Sequence, residues 1–209
     1  MADERRPGGA RRALIRTSLT DPLLVNEIGP PIARISGTIG LSFCPGKHQD
    51  DGATGRWRRD LAADLDRIKA WGTAAVVSVI EAHELAALGV PELGPQVLAR
   101  DMAWYHLPVE DGRAPAASFA KPWADARPAL LRDLHEGRKI FVHCKGGLGR
   151  TGTIAARLLI ECGHQPREAM AIVRRARPGA IETAEQETWL LARSPALMPP
   201  APRLGRLSP

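Results

Sequence analysis

The stretch His143-Cys144-Lys145-Gly146-Gly147-Leu148-Gly149-Arg150-Thr151-Gly152 constrains this chain more than any other. It follows the apolar run Ile140-Phe141-Val142, which has the length and composition of a buried strand. It precedes Ile154-Ala155-Ala156-Arg157-Leu158-Leu159-Ile160, which reads as a helix. A cysteine therefore ends a strand, a glycine-rich loop follows, and a helix opens beyond it. Glycines let successive backbone N–H groups converge on an anion, and the helix N-terminus adds its positive dipole end. Arg150 supplies a planar fork able to hold two oxygens of a phosphate. The same field favours thiolate over thiol at Cys144, as at other cysteines placed at helix N-termini beside cations. The stretch reads as an ionised nucleophile aimed into a phosphate cradle.

Two other loops share part of this pattern. Gly147-x-Gly149-x-x-Gly152 fits a dinucleotide fingerprint. That unit needs a second parallel strand after the helix, whereas Gly163-His164-Gln165-Pro166 and another helical pattern follow here. A nucleotide-binding P-loop needs Lys and then Ser or Thr after its last glycine, and Thr153 stands there instead. An ordinary buried cysteine before a helix would explain neither Arg150 nor the glycines.

At 209 residues and 44% apolar composition the chain suffices for one well-buried domain. No apolar run approaches the roughly 20 residues of a membrane span. The start Met-Ala-Asp-Glu-Arg-Arg lacks an apolar signal core, so a cytoplasmic protein is expected. Cys44, Cys144 and Cys162 form a sparse, odd set without metal-ligand spacing. Neither a disulfide framework nor a metal or other cofactor is therefore expected, and a reducing compartment suits a thiolate. Residues 1–16 hold five Arg against Asp3 and Glu4, and residues 194–209 hold Arg203 and Arg206. The tails thus carry five of the six net positive charges, and nucleic-acid binding by the domain is not indicated.

The division expected is a flexible basic segment over 1–20, one domain over 21–193 and a Pro-rich flexible tail over 194–209. Strands are predicted at 32–35, 39–43, 74–80, 102–107 and 139–143. Helices are predicted at 57–70, 81–89, 151–162, 166–176 and 183–193, with a helical stretch over 116–136 divided or bent by Pro122 and Pro128. Strand–helix alternation ahead of a helical cluster gives an α/β class with a mostly parallel central sheet flanked by helices.

A thiolate that takes a phosphoryl group needs a proton donor for the leaving oxygen. Glu110 and Asp111, in Val109-Glu110-Asp111-Gly112 directly after a predicted strand, are the candidates, although Asp-Gly also makes a plain turn. Gln186 opens the last helix, and its neutral amide suits positioning a water for the second half-reaction. His143 is expected to orient the loop through hydrogen bonds, and Lys145 to add charge at the rim. Cys162 reads as core, and Cys44 as a thiol able to approach the site.

The Cys-x5-Arg-Thr spacing, with the preceding His and three glycines, resembles the signature loop of the cysteine-dependent protein phosphatases. Further segments line up in order: Gly40-Leu41-x-x-Cys44-Pro45-Gly46, Val109-x-Asp111-Gly112-x-x-Pro115 and Gly179-Ala180-Ile181-x-Thr183-x-x-Gln186. Together they are similar to the dual-specificity type, in particular the cyclin-dependent-kinase-associated phosphatases and their bacterial relatives, over about residues 35–193. The resemblance implies a three-layer domain that needs no cofactor. It implies Cys144 as nucleophile, with Arg150 and the loop from Lys145 to Gly149 binding the phosphoryl group. It implies Asp111 as acid, Thr151 stabilising the departing thiolate, and Gln186 guiding water. The implied partner is a phosphorylated protein of unspecified identity, and the kinase partner is not carried over. Two alternatives remain. One is a phosphoinositide phosphatase, since Lys145 matches the first lysine of that loop type while Leu148 replaces the second. The other is a phosphate-binding module without turnover.

Overall fold

The computed structural model describes residues 15–33, 35–52 and 55–195. Residues 1–14 and 196–209, on which most of the expected flexible ends fall, lie outside that set. In chain order the elements are β1 (Ile15–Arg16), β2 (Asn26–Ile28), β3 (Thr38–Ser42), β4 (His48–Gln49), β5 (Arg56–Arg58), α1 (Leu61–Ala70) and β6 (Thr73–Ser78). Then follow α2 (Ala82–Ala87), α3 (Leu93–Leu98), β7 (Ala103–His106), α4 (Ala120–His135), β8 (Lys139–His143), α5 (Gly149–Glu161), α6 (Pro166–Ala176) and α7 (Ala184–Leu191).

The main sheet has the order β2-β3-β8-β6-β7 and is parallel except at the β2 edge. β8 is its centre, and Ile140, Phe141 and Val142 are fully buried. A continuous apolar run is what a strand covered on both faces requires. Side chains alternate between the faces. Ile140 and Val142 pack in one core with residues of α4, α5, α6 and α7, such as Leu130, Leu158, Val173 and Leu190. Phe141 and Val76 pack in a second core with Leu65, Leu85 and Leu93 of α1, α2 and α3. The result is the expected three-layer α/β domain.

The register sets the position of the site. Ser42, Ser78 and His106 end their strands in line with His143, through the pairs Ser42–His143, Ser78–His143 and Ser78–His106. The loops after β3, β6, β7 and β8 therefore leave the sheet along one edge, its carboxyl edge, where open parallel sheets gather ligands.

Several elements differ from the sequence expectation. Ile32 and Ala33 bond back to the Gly29 carbonyl in a turn, and the edge strand lies at Asn26–Ile28 instead. The helix predicted over 57–70 begins only at Leu61, because the Asp60 side chain caps it by accepting from the Ala63 N–H at 2.8 Å. The preceding Arg56–Arg58 is a strand, paired with Ile15–Arg16 and His48–Gln49 in a small second sheet. Within the segment expected to be flexible, the chain is thus already paired at Ile15. α4 runs through Pro128 unbroken, and Pro122 falls in its first turn, where no N–H bond is owed. α3 was not foreseen; it is six residues long and carries Pro95 in its first turn.

Candidate active site

Cys144 stands at the end of β8 and is 3% exposed. Its Sγ accepts from the Gly147 N–H at 3.2 Å. Gly147 adopts φ +74°, and a Cβ there would lie 2.3 Å from the Ser42 carbonyl, so only glycine lets the loop turn back over the sulfur. Arg177 holds the loop from behind. Its Nε donates to the Gly147 carbonyl, Nη2 to the Gly146 carbonyl at 3.2 Å and Nη1 to Asn26 Oδ1 at 2.6 Å. Fixing those two carbonyls on Arg177 orders the loop that carries the N–H groups. Glu182 accepts from the Gly149 N–H at 2.7 Å, a favourable place for a carboxylate at the opening of α5.

His143 is fully buried, and its tautomer follows from its neighbours. Trp104 Nε1–H donates to Ser78 Oγ at 2.9 Å, and Ser78 Oγ is 2.7 Å from His143 Nε2. The Cys144 carbonyl, 3.3 Å from Nδ1, can only accept, so Nδ1 carries the hydrogen, and Nε2 of the neutral ring accepts from the serine hydroxyl. Burial, reinforced by the positive charge of Arg150, lowers the His143 pKa to about 4. The ring is neutral near pH 7 and bonded at both nitrogens.

Arg150, in the first turn of α5, is 2% exposed. Nη1 donates to Glu84 Oε2 at 2.5 Å and to the Val109 carbonyl at 3.0 Å, and Nη2 donates to Glu84 Oε1 at 2.9 Å. Nη2 also meets Asp111 Oδ1 at 2.8 Å. Burial works against both charges. The mutual hydrogen bonds prevail, with the Glu84 carboxyl held below its ordinary range and Arg150 above its own. Glu84 is fixed further by the Glu81 N–H at 3.1 Å. In the first turn of α5, two buried side-chain atoms have no hydrogen-bond partner, Arg150 Nε and Thr151 Oγ1.

Of the two candidate acids, only Asp111 is brought to Arg150. Glu110 points outward and lies 3.8 Å from Arg113 in an exposed pair. Gln186 is fully buried; its Oε1 accepts from the Glu182 N–H at 2.9 Å and its Nε2 donates to the Arg113 carbonyl at 3.2 Å. The Ala114 N–H also donates to Glu185 Oε1 at 3.1 Å, so the Asp111 loop is clasped to the start of α7. Lys145 is half-buried, and Gly146 and Leu148 line a cleft beside it. Burial raises the pKa of Cys162 to about 12 and that of the fully buried Cys44 further, so neither resembles an ionised thiol. Among the described residues no three His, Cys, Asp or Glu side chains gather as a metal-binding group.

Sequence reasoning missed Glu84, Arg177 and Glu182. One signal was available for Glu84: a buried arginine needs a carboxylate, and Glu84 lies just after a central strand. Arg177 looked like one more solvated arginine at a helix end.

The family described as "PTP-SAK: Swiss Army Knife protein, DSP-PTPase phosphatase domain" matches residues 57–190. "Cyclin-dependent kinase inhibitor 3" of Rattus norvegicus is 31% identical over 166 residues, covering 77% of this chain and 74% of the relative. Among solved structures, kinase associated phosphatase with its catalytic site cysteine substituted by serine superposes with a TM-score of 0.71 at 26% identity, covering 81% of this chain and 93% of that one. Tk-PTP in the active form gives 0.57 at 30% identity, covering 78% and 99%.

Proposed function

The chain belongs to the dual-specificity branch of the cysteine-dependent protein-tyrosine phosphatases, and from that premise we propose how its own residues divide the work. The protein is a protein phosphatase, a phosphoric monoester hydrolase. The Cys144 thiolate attacks phosphorus in line with the leaving oxygen. As the S–P bond forms and the P–O bond breaks, Asp111 gives that oxygen a proton. Arg150 and the loop N–H groups hold the equatorial oxygens, where charge gathers in the transition state. In the second half, water held by Gln186 attacks phosphorus and its proton passes to Asp111. The S–P bond then breaks, and the Thr151 hydroxyl and Gly147 N–H receive the thiolate.

One observation carries this reading. Arg150 Nε and Thr151 Oγ1, in the helix turn that follows the Cys144 loop, are buried donors without hydrogen-bond partners. Buried donors are rarely left orphaned unless a ligand or reacting group meets them. Their places fit a phosphate oxygen and the cysteine sulfur. The incoming phosphate also competes with Asp111 for Arg150 Nη2, which would release the carboxyl toward the leaving oxygen. Gln186 must give up its bond to the Arg113 carbonyl, or use its second amide hydrogen, to hold water.

The unit proposed to carry this chemistry is residues 21–193, extended at its start by the paired segment from Ile15. No helix among the described residues is long and apolar enough to cross a membrane. A cytoplasmic site of action is proposed because a thiolate needs a reducing compartment. The substrate is proposed to be a phosphorylated protein carrying phosphotyrosine, with phosphoserine and phosphothreonine as further esters. The test is phosphate release from phosphotyrosine and phosphothreonine peptides in the presence of a chelator. Turnover that survives chelation and is lost in Cys144→Ser is expected, and turnover retained in Cys144→Ser would exclude the scheme.

A further inference from the structure

We propose that the cleft beside the phosphate loop is a second anion subsite, which takes an acidic side chain, carboxylate or phosphate, adjoining the phosphoresidue of a peptide substrate. This rests on the phosphatase reading above and adds a substrate class to it.

The cleft has a volume of about 440 Å³. Asp111, Lys145, Gly146 and Leu148 form the wall it shares with the phosphate loop, and the far wall includes Lys47 and Trp57. The residue next to a phosphoresidue is one Cα step away, about 3.8 Å, so its side chain reaches this space.

Lys47 is the anchor. It is 5% exposed. Its Nζ reaches one side-chain acceptor, Gln49 Oε1 at 3.3 Å, and lies 4.6 Å from the centre of the Trp57 ring and 5.1 Å from that of Phe43. Among the described residues no ion pair joins Lys47 to a carboxylate. An ammonium has three donors to satisfy, and a buried charge without a counter-charge costs stability. Burial draws the Lys47 pKa down to about 8, while the Cys44 and Cys144 sulfurs pull it part of the way back up. Arg16 adds a second positive charge above the Trp57 ring, at 5.2 Å, and its only carboxylate contact among the described residues is Asp21 at 3.6 Å. An anion entering here would give Lys47 a hydrogen-bonded carboxylate or phosphate partner in addition to the Cys144 sulfur, whose charge already acts on it.

The surroundings favour a peptide over a lipid surface. Asp50, Asp51 and Glu110 are exposed around the neighbouring clefts that share Lys145. Asp50 is paired with Arg56 and Arg58, and Glu110 with Arg113, so it is the recessed shape of the cleft that admits a narrow chain and not a flat bilayer.

The experiment compares kcat/KM for matched phosphopeptides that carry Ala, Glu, phosphoserine or Lys beside the phosphoresidue, on either side. The wild type should prefer an acidic neighbour over Ala by about tenfold at one of the two positions. Added salt should shrink that ratio. Lys47→Met, which keeps the stem and removes the charge, should bring it close to one, and Arg16→Ala, at an exposed side chain, should reduce it in part. A wild type without preference at either position overturns the subsite, as does a Lys47→Met enzyme that keeps the full ratio. If Lys47→Met does not fold, the Arg16→Ala ratio and the salt dependence decide. Turnover of any of these peptides reports on the phosphatase reading by itself, and its absence from all of them would sink both proposals. Faster turnover of phosphoinositide vesicles than of any peptide, lost in Lys47→Met, would assign the cleft to a lipid headgroup and overturn the peptide proposal.

Discussion

Arg150 is held by a carboxylate 66 positions away in sequence, through two parallel hydrogen bonds to Glu84. That clamp fixes the guanidinium in one orientation, and under the proposed mechanism orientation is where such a positioning residue acts on rate. Glu84→Gln keeps the shape and removes the charge. It is expected to lower kcat/KM by about 10- to 100-fold and to reduce the melting temperature, since a buried guanidinium loses its counter-ion. Unchanged kinetics would mean that the loop and the Val109 carbonyl orient Arg150 without it. Asp111 makes a separate prediction. General-acid help is worth about 10²–10⁴-fold and matters most for strongly basic leaving groups. Asp111→Asn should therefore lose most with alkyl phosphates and little with activated aryl phosphates, while Glu110→Gln should show no such grading. A graded loss in Glu110→Gln alone would move the acid to that residue. The Cys144–Arg150 spacing could be read from the sequence because it is local, and the structure brings Asp111, which follows a strand, to Arg150. Glu84 and Arg177 were not, because their partners are brought close only by the fold.

At the scale of elements, one strand–loop–helix unit carries the nucleophile, and the loop's shape depends on a glycine and an arginine. Gly147→Ala would place a Cβ 2.3 Å from the Ser42 carbonyl at a positive φ, so the loop must move. Such strain costs about 1–3 kcal/mol. Turnover should fall well before secondary structure is lost, as seen by comparing kcat/KM with far-ultraviolet circular dichroism. Wild-type kinetics in Gly147→Ala would show that the turn tolerates a side chain. The long elements were readable because apolar runs and helical spacing persist over several turns. β1, β2, β4 and β5 were not, since two or three residues carry no period. α4 was expected to be divided or bent by Pro122 and Pro128, and it runs on as one helix whose buried face Trp123, Ala126, Leu130 and Leu134 anchor.

The whole molecule places a neutral imidazole at its centre, and this links stability to pH. Folded His143 titrates at about 4, against about 6.5 in the unfolded chain. Between those values the unfolded state holds a proton that the folded state does not. Stability is therefore full above pH 6.5 and falls as pH drops toward 4, by on the order of 3 kcal/mol. Urea unfolding at pH 7 and pH 4.5 should show the drop, and His143→Gln should flatten it relative to wild type. A wild-type slope unchanged by that substitution would assign the acid sensitivity to carboxylates such as Glu84. The α/β class with its mostly parallel central sheet was legible from strand–helix order, the three-layer arrangement came with the family resemblance, and the site's position at the carboxyl edge follows from the shared register of Ser42, Ser78 and His143. That edge exists to present one sulfur to one phosphoryl group, so the most direct test looks for the bond between them. The enzyme would be mixed with an activated aryl phosphate, quenched in alkaline denaturant during turnover, digested and mapped by mass spectrometry. The expected result is a phosphoryl group on the peptide bearing Cys144, attached through sulfur and absent from Cys144→Ser. A phosphoryl group on another residue, or an active enzyme showing none although product appears in a burst, would contradict the mechanism.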